Sequence, residues 1–460
     1  MSPINKEILH LALPSILANI TVPIVGMTDT AVAGHLLGTQ SAAAFIGAIS
    51  VGAMMFNIIY WNFYFLRTGT GGLTAQAFGR GDMKECARIF LRGMAVSLLI
   101  ALVTLALQCP LSDLTLLMVN ATPEVEALAV RYFMIRVWAA PATVALMAFR
   151  GWFVGMQDSV SSMWTDLIIN AVNVVLSIVL TFGIAGWTGL GFDGIALGTV
   201  IAQYSGLLYA SLVSVFRYRR KVFSHFGLAD IPSLLDRKEI IRLLKMNVDL
   251  LLRSLGMTGI YIGFTIISAE FGNTLLACSS IMMQLLMIFS YFTDGFAYAG
   301  EALTGRFLGA GDNARLRLTI RCVFLWSTGV SLVWTLIYLL AGVPLMRLIT
   351  PDQAVAGTCA AFLPWLVAMP LAGYVPFTWD GIYLGATATR SIRNSMLGSV
   401  ALFFAVWAVC RCLCLGETPL HCAGNLPLHL LFAAYFAHLL YRAAYLTVDF
   451  IRKSKTFSAI

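Results

Sequence analysis

The sequence predicts an all-α integral membrane protein whose twelve transmembrane helices form two pseudo-symmetric six-helix bundles. Three observations predict this. Hydrophobic residues fill 59% of the 460 positions and charged residues only 11%, whereas soluble domains carry about 25% charged residues. Apolar runs of about 20 residues or more recur along the whole chain, each long enough to cross a hydrocarbon core of about 30 Å as a helix. The second half also repeats motifs of the first at a constant shift of 230 residues.

The runs lie at about 8–36, 41–66, 88–109, 124–149, 160–186, 191–216, 239–269, 274–303, 316–341, 353–386, 394–415 and 427–451. The tenth is interrupted by Pro364, Pro370 and Pro376. The first, LALPSILANITVPIVGMTDTAVAGHLLG, holds Pro14 and Pro23 and carries Asp29 near its middle. It is too long for a cleavable signal peptide, and Asn19, Thr21, Thr28 and Asp29 make it too polar. A carboxylate at a bilayer centre costs roughly 2.5 to 3.5 kcal/mol on insertion scales, so such residues face water, ions or a partner. Asp29 is the leading candidate for the working residue.

The net charge of +8 is a topology signal before it is a nucleic-acid signal. Arg217, Arg219, Arg220, Lys221, Arg237, Lys238, Arg242 and Lys245 stand against Asp230, Asp236 and Glu239 in one connection, which the positive-inside rule places in the cytoplasm. Counted in pairs of spans from there, the other cytoplasmic connections hold Arg80, Lys84, Arg88, Arg306, Arg315, Arg317, Arg390 and Arg393. The connection after the third span instead offers Asp113, Glu124 and Glu126 before Arg131. Both termini then fall inside, where Lys6, Arg452, Lys453 and Lys455 fit.

The repeat organises the chain. GGLTAQAFGRGD (Gly71 to Asp82) aligns with EALTGRFLGAGD (Glu301 to Asp312) at the shift of 230, and RGWFVGMQDS (Arg150 to Ser159) with DGIYLGATAT (Asp380 to Thr389) at the same shift. Two distant matches at one shift indicate six helices repeated once, and an even number per repeat makes the halves parallel. The expected domains are an amino-terminal lobe over 1–220, a cytoplasmic linker over 221–237 and a carboxy-terminal lobe over 238–460. A duplicated bundle with an intramembrane acid favours a carrier that binds substrate at the repeat interface.

Most of the nine cysteines lie in spans and act as small hydrophobes. Cys410, Cys412, Cys414 and Cys422 cluster with His421 near the expected outer face; their spacing favours a structural role, with an external disulfide as the alternative and zinc disfavoured. No HExxH pair, GxSxG elbow or phosphate-cradling glycine loop suggests an enzyme.

FLRTGTGGLTAQAFGRGD, YFTDGFAYAGEALTGRFLGAGD and WDGIYLGATATRSIRN resemble the multidrug and toxic compound extrusion (MATE) antiporters, specifically their bacterial DinF branch, with LALPSILANITVP at the start. The likeness covers about residues 8 to 450. It implies a V-shaped pair of six-helix lobes in the bacterial cytoplasmic (inner) membrane, which exports amphipathic, often cationic, drug-like compounds in exchange for inward H⁺ or Na⁺. Residue by residue, Asp29 matches the first-helix aspartate that binds the coupling ion, Asn173 an asparagine sharing that site, and Pro14 a proline about which the helix bends in some members. About 22 Å of helix separates Pro14 from Asp29. Where several relatives carry a second aspartate, this chain has Ser177, on the same helix face as Asn173.

A sodium site wants several hard oxygens and preferably two carboxylates, whereas a proton needs one titratable group. H⁺ coupling is therefore expected, with Na⁺ the alternative and no cofactor. Asp380, whose repeat partner is Arg150, is a second candidate for ion or substrate contact, or else an interhelical anchor paired with a base. Asp294 and Glu301 belong to the branch motif and can equally pin helices. Asn57, Tyr60, Trp61, Asn62 and Tyr64 supply polar and aromatic groups for a substrate path or for packing. The expected function is secondary active multidrug efflux by a monomer with no nucleic-acid partner. The alternative is a flippase for a lipid-linked oligosaccharide, disfavoured because this chain keeps most bases in cytoplasmic connections.

Overall fold

The computed structural model describes residues 3–36, 42–116, 122–184, 186–350, 352–416 and 424–453. Within them run helices α1 (Pro3–Gly34), α2 (Ala42–Phe63), α3 (Phe65–Gly79), α4 (Met83–Ala106), α5 (Gln108–Leu116), α6 (Pro123–Arg136), α7 (Ala140–Gly155), α8 (Ser159–Phe182) and α9 (Phe192–Val213). They are followed by α10 (Arg237–Ala269), α11 (Asn273–Gly309), α12 (Asn313–Ile349), α13 (Gln353–Ala360), α14 (Leu363–Gly385), α15 (Thr389–Cys410) and α16 (Leu426–Lys453). Eleven helical stretches are long and apolar enough to cross a membrane, or twelve when α13 and α14, bent by 58° at a short break, are counted as one span. The break falls just before Pro364, whose ring occupies the first turn of α14, where no amide donor is needed.

The chain divides into two compact units, one of Leu17–Ile241 and one of the residues up to Ile16 together with Arg242 onward. The first sixteen residues, expected from the sequence in the amino-terminal lobe, are thus grouped with the carboxy-terminal unit, where Glu7 pairs with Arg306 at 3.2 Å and Asn5 accepts from Trp326 at 3.3 Å. The linker lies against α4. There Arg92 Nη2 donates to the Ser233 carbonyl at 2.8 Å, Arg88 Nε to Ser233 Oγ at 2.9 Å, and Lys84 pairs with Asp230 at 2.6 Å.

The repeated motifs are a folding device. Gly81 and Gly311 take φ of 75° and 71°, and Asp82 and Asp312 then cap α4 and α12 by accepting from the amides of Glu85 and Arg315, each at 2.9 Å. Gln157 and Thr387, again 230 apart, share the left-handed region at 63° and 55°. Where α7 crosses α3, a Cβ on Gly151 would land on the Arg67 carbonyl oxygen; where α14 crosses α11, one on Gly381 would land on the Ala297 carbonyl oxygen. Gly155 and Gly385 add to the same crossings, since a Cβ on Gly155 would come within 2.7 Å of the Gly71 carbonyl oxygen and one on Gly385 would land on that of Glu301. With lipid as solvent, close backbone approach of this kind supplies much of the helix association. Gly381→Ala is therefore expected to cut the folded yield severely, while Gly311→Ala, with open space around it, costs only about 1 kcal/mol of backbone strain. Thermal unfolding of both variants in detergent checks this, and equal melting temperatures would refute it.

Candidate ion-coupling site

Asp29 sits 26 residues after Pro3 and five before Gly34 in α1, about 39 Å along a helix of about 48 Å. It therefore occupies the distal third of the helix rather than its middle. Its side chain is 4% exposed and accepts a hydrogen bond from Ser177 Oγ at 3.0 Å. One turn away on α8, Asn173 donates Nδ2 to Thr199 Oγ1 of α9 at 3.0 Å. The two helices meet here because α9 has Gly194 and Gly198 on the shared face; a Cβ on Gly198 would come within 2.8 Å of the Ser177 amide. The cluster continues to Tyr132 of α6, which shares a hydrogen bond with Thr199 and receives Arg136 Nη1 at 2.8 Å. Arg136 interacts electrostatically with Asp29 and lies over the rings of Phe56 and Tyr132 at 4.8 and 5.5 Å.

Of the α2 candidates, Tyr60 joins this group: it stacks on Phe56 at 5.5 Å and lies within electrostatic reach of Arg136. Asn57 and Trp61 are exposed, one position further round the helix. Pro14 lies inside an unbroken α1, two residues before the point at which the chain passes from one compact unit to the other. Arg136 was missed in the sequence. The signal was available, since the reasoning that singled out Asp29 applies equally to a base inside the fourth apolar run.

The same places in the second repeat are filled with hydrocarbon. At the shift of 230, Tyr132, Arg136, Asn173 and Ser177 correspond to Phe362, Leu366, Phe403 and Trp407, all members of one buried apolar cluster. The start of α10 is offset by four further residues, so Asp29 corresponds to Gly263, where a Cβ would meet the Phe404 ring at 2.7 Å. The second unit has a different polar centre. Asp380 accepts from Arg253 Nη2 at 2.7 Å and Arg442 Nη2 at 2.6 Å, and Arg442 is 2% exposed. A cavity of about 10 Å³, room for about one water, lies beside it and is lined in part by Tyr261, Tyr435, His438 and Arg442. Asp294, on α11, acts electrostatically on Tyr261 and Tyr291. Arg150, the repeat partner of Asp380, pairs instead with Asp166 at 2.6 Å.

Cys410, Cys412 and Cys414 are free thiols, whereas His421 and Cys422 lie outside the described residues. Among the described residues, no group of three or more His, Cys, Asp or Glu side chains is arranged to hold a metal ion.

Comparison with known proteins agrees with this architecture. The family model described as MatE matches twice, over residues 14–182 and 250–409, once in each repeat. The chain is 34% identical over 400 residues to the DNA damage-inducible protein F of Escherichia coli strain K12, covering 87% of this chain and 84% of that protein. It is 26% identical over 409 residues to a probable multidrug resistance protein NorM of Rhizobium meliloti, with 87% and 84% covered. A crystal structure of MATE in the bent conformation superposes with a TM-score of 0.83 at 15% identity, covering 100% of this chain and 98% of that one. An outward-facing multidrug resistance MATE family transporter of the MOP superfamily superposes with a TM-score of 0.81 at 17% identity, covering 100% and 97%. A family match in both repeats, carried on a multi-pass membrane fold of the same kind, means that the chain belongs to the MATE family of multidrug efflux transporters.

Proposed function

We propose that the protein is a secondary active antiporter of the bacterial cytoplasmic membrane. It exports amphipathic compounds bearing a cationic centre in exchange for inward protons, with Asp29 as the protonation site. The observation that supports this reading most is the one-sided polar cluster: a buried carboxylate stands in one unit where the matched place in the other is closed by aromatic rings. A cation and a proton compete for one carboxylate, so protonation of Asp29 weakens its hold on the cation and deprotonation restores it. Ser177 keeps the carboxylate oriented without adding charge. Pro14, beside the point where α1 changes unit, is the proposed bending position. Asp380 serves in this reading as an interhelical anchor, held by two guanidinium groups.

One observation favours sodium as a second reading, since Asn173 Oδ1 is buried without a hydrogen-bond partner and offers a hard oxygen. Against it, the cluster supplies one carboxylate with the uncharged Ser177 beside it, which is enough for a proton but short of the several hard oxygens and second carboxylate that a sodium site favours. Purified protein in vesicles with separately imposed gradients tests the choice. A pH gradient alone is expected to drive efflux and a sodium gradient alone to leave it at the passive rate; the reverse pattern would establish sodium coupling.

A further inference from the structure

Arg136 is a base where the fold elsewhere uses hydrocarbon. It lies inside a membrane-spanning stretch, and its counterpart, Leu366, is fully buried in an apolar core. A guanidinium carries five N–H donors in a planar fork. Among the described residues Arg136 spends one on the Tyr132 hydroxyl and forms no ion pair. The rings of Phe56 and Tyr132 hold its charge through their faces, which leaves the remaining donors uncommitted. By surface exposure the group is half-buried rather than sealed, and it lies within electrostatic reach of Asp29. Gly52 makes this seating feasible, because a Cβ there would meet the Tyr132 ring at 2.5 Å.

We propose that Arg136 is the anion-binding half of the amino-terminal site, and that the preferred cargo is zwitterionic: an ammonium-type group at Asp29 and a carboxylate, sulfonate or phosphate group at Arg136. The proposal rests on the reading of Asp29 as the coupling residue and narrows its substrate class. Planar oxyanions match the guanidinium fork with two parallel hydrogen bonds, a geometry that lysine cannot reproduce. The ammonium still competes with the proton for Asp29, so exchange is preserved. The charge balance changes, however. One monocation for one proton is electroneutral, whereas one zwitterion for one proton moves a positive charge inward and is driven by membrane potential as well as by pH.

A matched pair of fluorescent probes tests this in reconstituted vesicles: a rhodamine zwitterion with a free carboxylate and its cationic methyl ester. The wild-type protein is expected to transport the acid with kcat/KM about tenfold or more above that of the ester, the scale of one good charged hydrogen-bond pair. Arg136→Gln should bring the ratio to about one by losing the acid, Arg136→Lys should retain part of the preference, and an imposed potential should accelerate only the acid. A ratio unchanged in Arg136→Gln, or a wild-type preference for the ester, would overturn the proposal. Asp29→Asn measured alongside separates the two readings. If Asp29 is not the coupling residue, that variant keeps its response to the pH gradient while Arg136→Gln still collapses the probe ratio. If Arg136→Gln cannot be purified, equilibrium binding of both probes to detergent-solubilised wild-type protein decides, with tighter binding of the acid supporting the proposal and equal or tighter binding of the ester refuting it.

Discussion

Asp29→Asn is expected to lower pH-gradient-driven efflux by about 100-fold or more while leaving the protein folded, on the scale seen when a proton-transferring group is removed. The substitution is nearly isosteric, and the amide oxygen can still accept from Ser177 Oγ, so the packing of α1 against α8 should persist. What disappears is the ability to exchange a proton for a cation. Asp29→Glu, which keeps the carboxyl but moves it by one methylene, should retain a fraction of the rate. Efflux from everted vesicles checks both, with thermal unfolding as the folding control. A wild-type rate in folded Asp29→Asn protein would remove Asp29 from the mechanism.

Asp380→Asn should act in the opposite way, through stability rather than coupling. The carboxylate satisfies two guanidinium groups at once, and Arg442 has almost no access to solvent. Neutralising one member of a buried charge cluster leaves its partners uncompensated, at a cost of about 3 to 5 kcal/mol. Folded yield and melting temperature should therefore fall sharply, yet the protein that does fold should still respond to a pH gradient. Replacing Arg253 and Arg442 by Gln in the same chain should recover part of the loss, because the stranded charges go with their counter-ion. If Asp380→Asn melted like wild type and had lost its response to pH, Asp380 would be an ion-coupling residue instead.

The architecture was legible because its cues are local or periodic. The apolar runs give the spans, and the shift of 230 gives the repeat down to the paired turns at Gly81 and Gly311. The meaning of the glycine motifs was less visible, since a helix crossing is a relation between α3 and α7, or α11 and α14, that no spacing encodes. Asp29 stood out as a lone acid in an apolar run, and its hydrogen bond to Ser177 spans 148 residues that only the fold closes. Arg253 and Arg442 lie 127 and 62 residues from Asp380, so pairing with a base was expected without the bases being identifiable. Arg136 escaped notice because the other basic residues read as cytoplasmic markers, and a single guanidinium inside a span is easily counted among them.

Proton release on substrate binding tests the account most directly, because it needs neither a gradient nor a membrane. Purified protein in weakly buffered detergent solution, mixed with the zwitterionic rhodamine at a pH where Asp29 is protonated, is expected to release about one proton per bound probe. Asp29→Asn should release none, and folded Asp380→Asn should release as much as wild type. Equal release from Asp29→Asn and wild type would contradict the assignment of coupling to the amino-terminal cluster.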